Sequence, residues 1–409
     1  MERGILMRYI IIVGGELRNK GAQAMTFTVV DEMKKRYPEK EVVLFSSVFT
    51  DREKNEMKQL NFRVLPWTLR IKMKMMGFPN NLNLGLKEFA KYIFKGTELP
   101  KEKMDEIKKV LENADLMVDI SGYALSSQQG YMTTIKYLCN IMIAEQYGIQ
   151  MYLLPQSFGP FNYNENDRRK LIPLIEKHLQ YPKKLYVREK DGLKNLKTFN
   201  LGNVTHNYDI VLQGEEYTIS NIYREYNFKN LDILENSVAI IPNEKVMMHG
   251  NSEKLYEVYK QIISSLLENG KNVYLIRHSY EDLKINENIK KMFSNEDRVK
   301  LLFEDFNCIQ IDNIIKQFDF IIASRYHSII HAYKNSVPAL VFGWAIKYQE
   351  LLGHFSQEKY LFDVRESQSD EKVREKLDYL LKYNKKESKT INEKMKHFNK
   401  NRIFDEILI

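Results

Sequence analysis

The stretch Phe320–Trp344, FIIASRYHSIIHAYKNSVPALVFGW, decides the fold. Phe320–Ala323 is an unbroken apolar run and reads as a strand buried on both faces. Ser324-Arg325-Tyr326-His327-Ser328 interrupts it, the pattern turns helical from about His327 to Asn335, and Ala339–Phe342 is a second apolar strand. Strand, helix and strand at this spacing make a βαβ unit, with its strands parallel and helices covering the sheet.

The same alternation extends outward. Tyr9–Val13, Glu41–Ser46, Ala114–Ile120, Met151–Leu154 and Leu185–Val187 read as strands, with helices over about 22–37 and up to Ile143. A polar stretch, roughly 214–235, breaks the rhythm. It resumes with Val238–Ile241, a helix over 253–268, Val273–Ile276 and a helix around 312–317. The second half repeats the architecture without repeating the sequence. The expected fold is α/β: two Rossmann-like domains facing across a cleft, one over residues 8–215 and one over 236–375, followed by a helical tail over 376–409. Ligands of such sheets sit beyond the carboxyl ends of the strands, so function is expected in the loops just after strands.

The chain has 409 residues, enough for a sizeable core without disulfides or metals. Its two cysteines, Cys139 and Cys308, lie far apart in apolar surroundings and read as buried free thiols of a reducing compartment. Tyr9–Val13 is too short for a signal-peptide core, and no stretch approaches the roughly 20 apolar residues that span a bilayer. A cytoplasmic location is expected. The net charge of +8 fits nucleic acid, an anionic membrane surface or anionic substrates. No nucleic-acid motif is present, which leaves the other two. Residues 70–95 carry Arg70, Lys72, Lys74, Lys87, Lys91 and Lys95 against Glu88, interleaved with Met, Phe, Tyr and Ile. That stretch reads either as a surface for peripheral membrane association at the inner face or as a helical insertion packed on its own domain.

Six loops could carry chemistry. Gly14–Met25 follows a strand and opens a helix, a setting that favours anions, but it is neither a dinucleotide fingerprint nor a phosphate-binding P-loop. In Asp119–Leu125, Asp119 reads equally as a catalytic acid or a turn cap. Leu154–Phe161 holds Gln156 and Ser157 in a proline-rich loop. Arg188 directly follows a strand, where its planar fork suits phosphate or carboxylate; a structural ion pair is the competing reading. In Ser324–Ser328 the serine is expected to cap the next helix, placing Arg325 and His327 in its first turn. The helix dipole disfavours an imidazolium there, and a bound dianion favours one. His331, four residues on, shares a face with His327. Without an accompanying HExxH pattern it reads as a supporting or core residue, and no metal is expected. Gly343–Tyr348 adds Lys347.

Taken in order, these loops resemble the polysaccharide pyruvyltransferase family. The resemblance rests on NKGAQAM at 19–25, DISGYAL at 119–125, PQSFGPF at 155–161, VRE at 187–189, SRYHSIIHAYKNSVPAL at 324–340 and GWAIKYQELL at 343–352. Gln23 stands where many members carry an acid. The resemblance implies a glycosyltransferase-B-like fold, phosphoenolpyruvate as co-substrate with no other cofactor, and an acceptor hexose in a cell-surface glycan (exopolysaccharide or capsule) or its lipid-linked oligosaccharide precursor. It implies a cyclic pyruvate ketal and phosphate as products. The N-terminal domain would take the acceptor and the C-terminal one phosphoenolpyruvate. Carried over by position, the catalytic residues are His327, Arg325 and Arg188. The substrate-binding set is Asn19, Lys20, Gly21, Asp119, Gly122, Gln156, Ser157, Ser324 and Lys347. The residues suit that chemistry on their own terms: phosphoenolpyruvate needs cationic handles for phosphate and carboxylate, and its reaction needs proton transfer near neutrality. A nucleotide-sugar glycosyltransferase or epimerase of the same fold is the alternative.

Overall fold

The computed structural model describes residues 7–46, 50–77, 99–228, 230–366, 370–398 and 402–409. They form two compact units. The first comprises residues up to Arg18, Met25–Tyr226 and Ile403–Ile409; the second comprises Asn19–Ala24 and Asn227–Arg402.

The first unit is built on seven parallel strands: β1 (Tyr9–Val13), β2 (Glu41–Ser46), β3 (Arg63–Pro66), β4 (Ala114–Asp119), β5 (Gln150–Gln156), β6 (Lys184–Val187) and β7 (Val204–His206). Their order is β3-β2-β1-β4-β5-β6-β7. β1 is Tyr-Ile-Ile-Ile-Val with every residue buried, as a central strand covered on both faces requires. The helix Tyr131–Tyr147 contributes Ile135, Leu138, Ile141 and Ile143 to the same core.

The second unit has six parallel strands: β8 (Ser237–Ile241), β9 (Asn272–Ile276), β10 (Val299–Leu302), β11 (Phe320–Ala323), β12 (Ala339–Gly343) and β13 (Leu361–Asp363). Their order is β10-β9-β8-β11-β12-β13. In each sheet the direction of strand addition reverses once, between β1 and β4 in the first and between β8 and β11 in the second. Such reversals open a crevice at the carboxyl ends of the strands, where ligands of doubly wound sheets bind.

Two expectations change in detail. Within residues 70–95, the helix Leu69–Met75 turns Ile71, Lys72 and Met73 inward. Lys72 is not a surface cation: its Nζ donates to the Lys136 carbonyl at 2.8 Å, and burial pushes its pKa down to about 8. The rest of that stretch, 78–95, lies outside the described residues. The C-terminal helix starts at Asp370 and runs to Phe398, with non-helical backbone at Tyr383. It groups with the second unit, whereas 403–409 groups with the first. Cys139 and Cys308 are both buried thiols. Among the described residues no helix is long and apolar enough to cross a membrane.

Candidate functional site

The sequence motifs gather into two groups, one in each unit, and both lie at strand ends beside or next to the switch points.

In the first unit the Gly14 and Ser121 loops meet. A Cβ on Gly14, whose φ is +78°, would lie 2.2 Å from Ser121 Oγ, so only glycine fits this approach. Asp119 is fully buried. One carboxylate oxygen accepts the Ser121 amide at 2.9 Å and the other accepts Asn140 Nδ2 at 3.0 Å. Burial pushes this carboxyl up, and those hydrogen bonds only partly offset it. Asp119 thus shapes the loop from beneath. Gly122 accepts the Ser157 amide through its carbonyl at 2.8 Å. Gln156 is buried, with Nε2 donating to the Leu154 carbonyl at 3.2 Å.

Arg188 has its guanidinium turned into the unit. Nε donates to Glu189 Oε1 at 2.7 Å, Nη1 to Asp209 Oδ2 at 2.9 Å and Nη2 to Ser157 Oγ at 2.8 Å. Ser157 Oγ donates in turn to Glu189 at 2.9 Å. The ion pair weighed against an anion handle at this position is present, and the arginine is 5% exposed.

The second unit holds the denser cluster. Asn19 caps the helix Lys20–Arg36, its Oδ1 accepting the Gly21 amide at 2.9 Å. Gly21 packs on His327: a Cβ there would lie 2.2 Å from the imidazole Nδ1. Lys20 is 3% exposed and pairs with Asp305 at 3.5 Å. Gln23, where an acid was the family expectation, is fully buried and accepts the Cys308 amide at 2.8 Å, at the first residue of the helix Cys308–Ile315. An amide oxygen meets that backbone donor without bringing a charge.

Ser324 directly follows β11 and does not cap the next helix. The helix Tyr326–Lys334 begins one residue later, with Arg325 at the N-cap and no side-chain cap. Ser324 is fully buried, and its hydroxyl lies 3.3 Å from the Tyr259 hydroxyl. Its carbonyl accepts Asn243 Nδ2 at 3.1 Å and the Tyr348 hydroxyl at 2.9 Å. These bonds pin the strand end from which Arg325 projects. Arg325 grips Asp282 with two parallel hydrogen bonds, Nε to Oδ2 at 2.8 Å and Nη2 to Oδ1 at 2.6 Å. Asp282 also accepts the amides of Glu244 and Ser279. Lys347 places its Nζ 5.2 Å from the Tyr326 ring, which meets His327 edge-on.

Sequence reading missed Arg277 and His278, which directly follow the recognised strand Val273–Ile276. The rule of loops after strands singles them out. Arg277 pairs with Asp305 at 3.8 Å. His278 is buried, and its pKa falls well below the ordinary value, first through burial and then through His331, Arg325, His327 and Lys20. His331 is also buried and meets Asp312 Oδ1 through Nδ1 at 2.8 Å. Lys20, Arg277, Arg325 and three histidines thus converge at the carboxyl end of the second sheet, balanced by Asp282, Asp305 and Asp312. Chemically this cluster can bind a small polyanion next to an imidazole.

A family model described as polysaccharide pyruvyl transferase matches residues 19–345. No curated protein matches the sequence. Several solved structures are similar in fold. The S. aureus MnaA–UDP co-structure is 13% identical with a TM-score of 0.57, over 98% of this chain and 94% of that one. UDP-GlcNAc 2-epimerase from Neisseria meningitidis bound to UDP-GlcNAc is 11% identical with a TM-score of 0.55, over 94% of each. UDP-GlcNAc 2-epimerase from Methanocaldococcus jannaschii is 12% identical with a TM-score of 0.52, over 92% of this chain and 93% of that one. At these identities the likeness speaks for fold alone, and the fold is glycosyltransferase-B-like.

Proposed function

The chain belongs to the polysaccharide pyruvyl transferase family and is a transferase acting in polysaccharide biosynthesis; from that premise we propose that it moves the pyruvyl group of phosphoenolpyruvate onto a hexose of a cell-surface polysaccharide or its lipid-linked precursor. The observation that carries this reading is the gathering of Lys20, Arg325 and His327 at one end of the second sheet, within the matched stretch. Phosphoenolpyruvate is a compact anion with a phosphate and a carboxylate, and clustered cations beside a titratable ring suit it.

The reaction balances as follows. The methylene carbon takes a proton, and the carbon bearing the phosphate becomes electrophilic. The first sugar hydroxyl bonds to that carbon and gives up its proton. The carbon–oxygen bond to phosphate breaks, and phosphate leaves with the electron pair. The second hydroxyl closes the ketal and gives up its proton in turn. Of the two hydroxyl protons, one is accounted for by the new methyl group and the other by hydrogen phosphate. His327 serves the proton transfers, Arg325 and Lys20 neutralise the departing phosphate, and Lys347 assists. Arg188, held by Ser157, Glu189 and Asp209, is proposed as a further substrate-binding residue. The net charge of +8 suits an acceptor presented at the inner face of a membrane.

The test is phosphate release from phosphoenolpyruvate against a panel of aryl galactosides, glucosides and mannosides. His327→Ala is expected to stay folded and to lose about 10²–10⁴-fold in rate. Near-normal release in that variant sinks the assignment of His327. Thermal stabilisation by UDP-sugars and none by phosphoenolpyruvate would instead favour a nucleotide-sugar enzyme.

A further inference from the structure

Two buried imidazoles have no part in the reaction above. His278 follows β9 and is 3% exposed; His331 lies on the helix Tyr326–Lys334 and is 1% exposed. Their ring centroids are 6.3 Å apart. His331 sits one helical turn beyond His327, so the two share a face. His278 is tied into the cationic cluster from both sides. Arg277 before it pairs with Asp305, which also pairs with Lys20. Ser279 after it donates its amide to Asp282, which holds Arg325.

Both rings keep a hydrogen-bonding capacity that the fold does not use. Neither Nε2 has a hydrogen-bond partner among the described residues, although both atoms are buried. An ionised carboxylate only accepts, so the Nδ1 of His331 facing Asp312 carries the proton. Asp312 is kept ionised: burial pushes its carboxyl up, but the hydrogen bond and charge of His331, with Lys334 and Asn335, outweigh this. His278 faces Lys20, Arg325, His327 and His331, and burial together with their charge holds it neutral. A dianion seated among Lys20, Arg325 and His327 reverses the electrostatic half of that balance.

We propose that His278 and His331 belong to the anion site as a buried pair that takes up one proton as a dianion binds. The proton comes from solvent onto a ring nitrogen and returns to solvent when the anion leaves. This inference rests on the anion-site part of the proposed function and on none of its pyruvyl chemistry.

Calorimetric titration of the full chain with sodium sulfate, in two buffers of different ionisation heat, counts the protons taken up per anion. Sulfate stays a dianion near neutrality, so any uptake belongs to the protein. About one proton per sulfate is expected for the unaltered chain, with affinity falling about tenfold per pH unit as pH rises through the coupled range. His278→Asn and Asp312→Asn are each expected to lose most of the uptake; if His278→Asn does not fold, Asp312→Asn carries the comparison. His327→Asn is expected to bind sulfate more weakly and keep the uptake. Binding without uptake in the unaltered chain overturns the proposal, as does uptake that survives in His278→Asn and vanishes in His327→Asn. No sulfate binding at all overturns the anion site and the proposal together. Intact uptake with no turnover of phosphoenolpyruvate overturns only the pyruvyl chemistry.

Discussion

One methyl group at position 21 separates the position of His327 from the stability of the fold. Gly21 lies in the first turn of a helix, where alanine is intrinsically better than glycine by about 0.5–1 kcal/mol. Yet its Cβ would lie 2.2 Å from His327 Nδ1, so the ring must move. Gly21→Ala is therefore expected to melt near the parent temperature while phosphate release falls by about 10²-fold. Unchanged release would mean that the present position of the ring is unimportant. Arg188 behaves in the opposite way. Arg188→Met leaves Glu189 and Asp209 buried without their cation, a loss of about 3–5 kcal/mol, so stability and activity should fall together in a denaturant titration. Arg325, His327 and Arg188 were legible because each lies within four residues of the end of an apolar strand. Their partners Asp282 and Asp209 were not, because an ion pair across the fold leaves no local trace. Arg277 and His278 carried the same local signal as Arg188 and were passed over.

At the scale of elements, the strands legible in sequence are those buried on both faces. β1 and β11, and β8 after its first residue Ser237, are unbroken apolar runs with every residue buried. The strands that sequence reading did not find are β3, β7, β10 and β13, and these are the four sheet edges. Their burial is partial: β7 has no fully buried residue, and in β10 the two middle residues, Lys300 and Leu301, are only half-buried. An edge strand contacts the core on fewer sides, so its sequence need not be continuously apolar. Polar ties between elements are equally hidden. Asn140, on the helix Tyr131–Tyr147, accepts Trp67 Nε1 at 3.0 Å and donates to Asp119 at 3.0 Å, joining the segment after β3 to the end of β4. Asn140→Leu fills similar space but leaves both groups unmatched. A loss of roughly 2–5 kcal/mol is expected, with sulfate affinity of the folded protein unchanged. Weakened sulfate binding at full stability would instead make Asp119 a ligand-side residue.

At the scale of the whole molecule, length and composition allowed a sizeable core but did not tell how stability depends on pH. That follows from histidines the fold keeps neutral. His278 in the second unit has its pKa well below the ordinary value of 6.5, chiefly through burial, and His178 in the first unit is lowered for the same leading reason. A histidine depressed in the folded state binds fewer protons there than when unfolded. Its contribution to stability is therefore complete above about pH 6.5 and is lost as pH falls below that value, at up to about 1.4 kcal/mol per pH unit while the ring stays neutral. Chemical denaturation between neutrality and mild acid should show stability falling with pH. His278→Asn should flatten the part of that slope that belongs to the second unit and leave the His178 part in place. Sulfate gives the same prediction a second arm. If a bound dianion lets the His278–His331 pair hold a proton, the folded state no longer refuses the proton that the unfolded chain accepts. Saturating sulfate should then flatten the acid slope of the parent and change that of His278→Asn much less. A parent slope unaffected by saturating sulfate would mean that the anion and the buried histidines are not coupled.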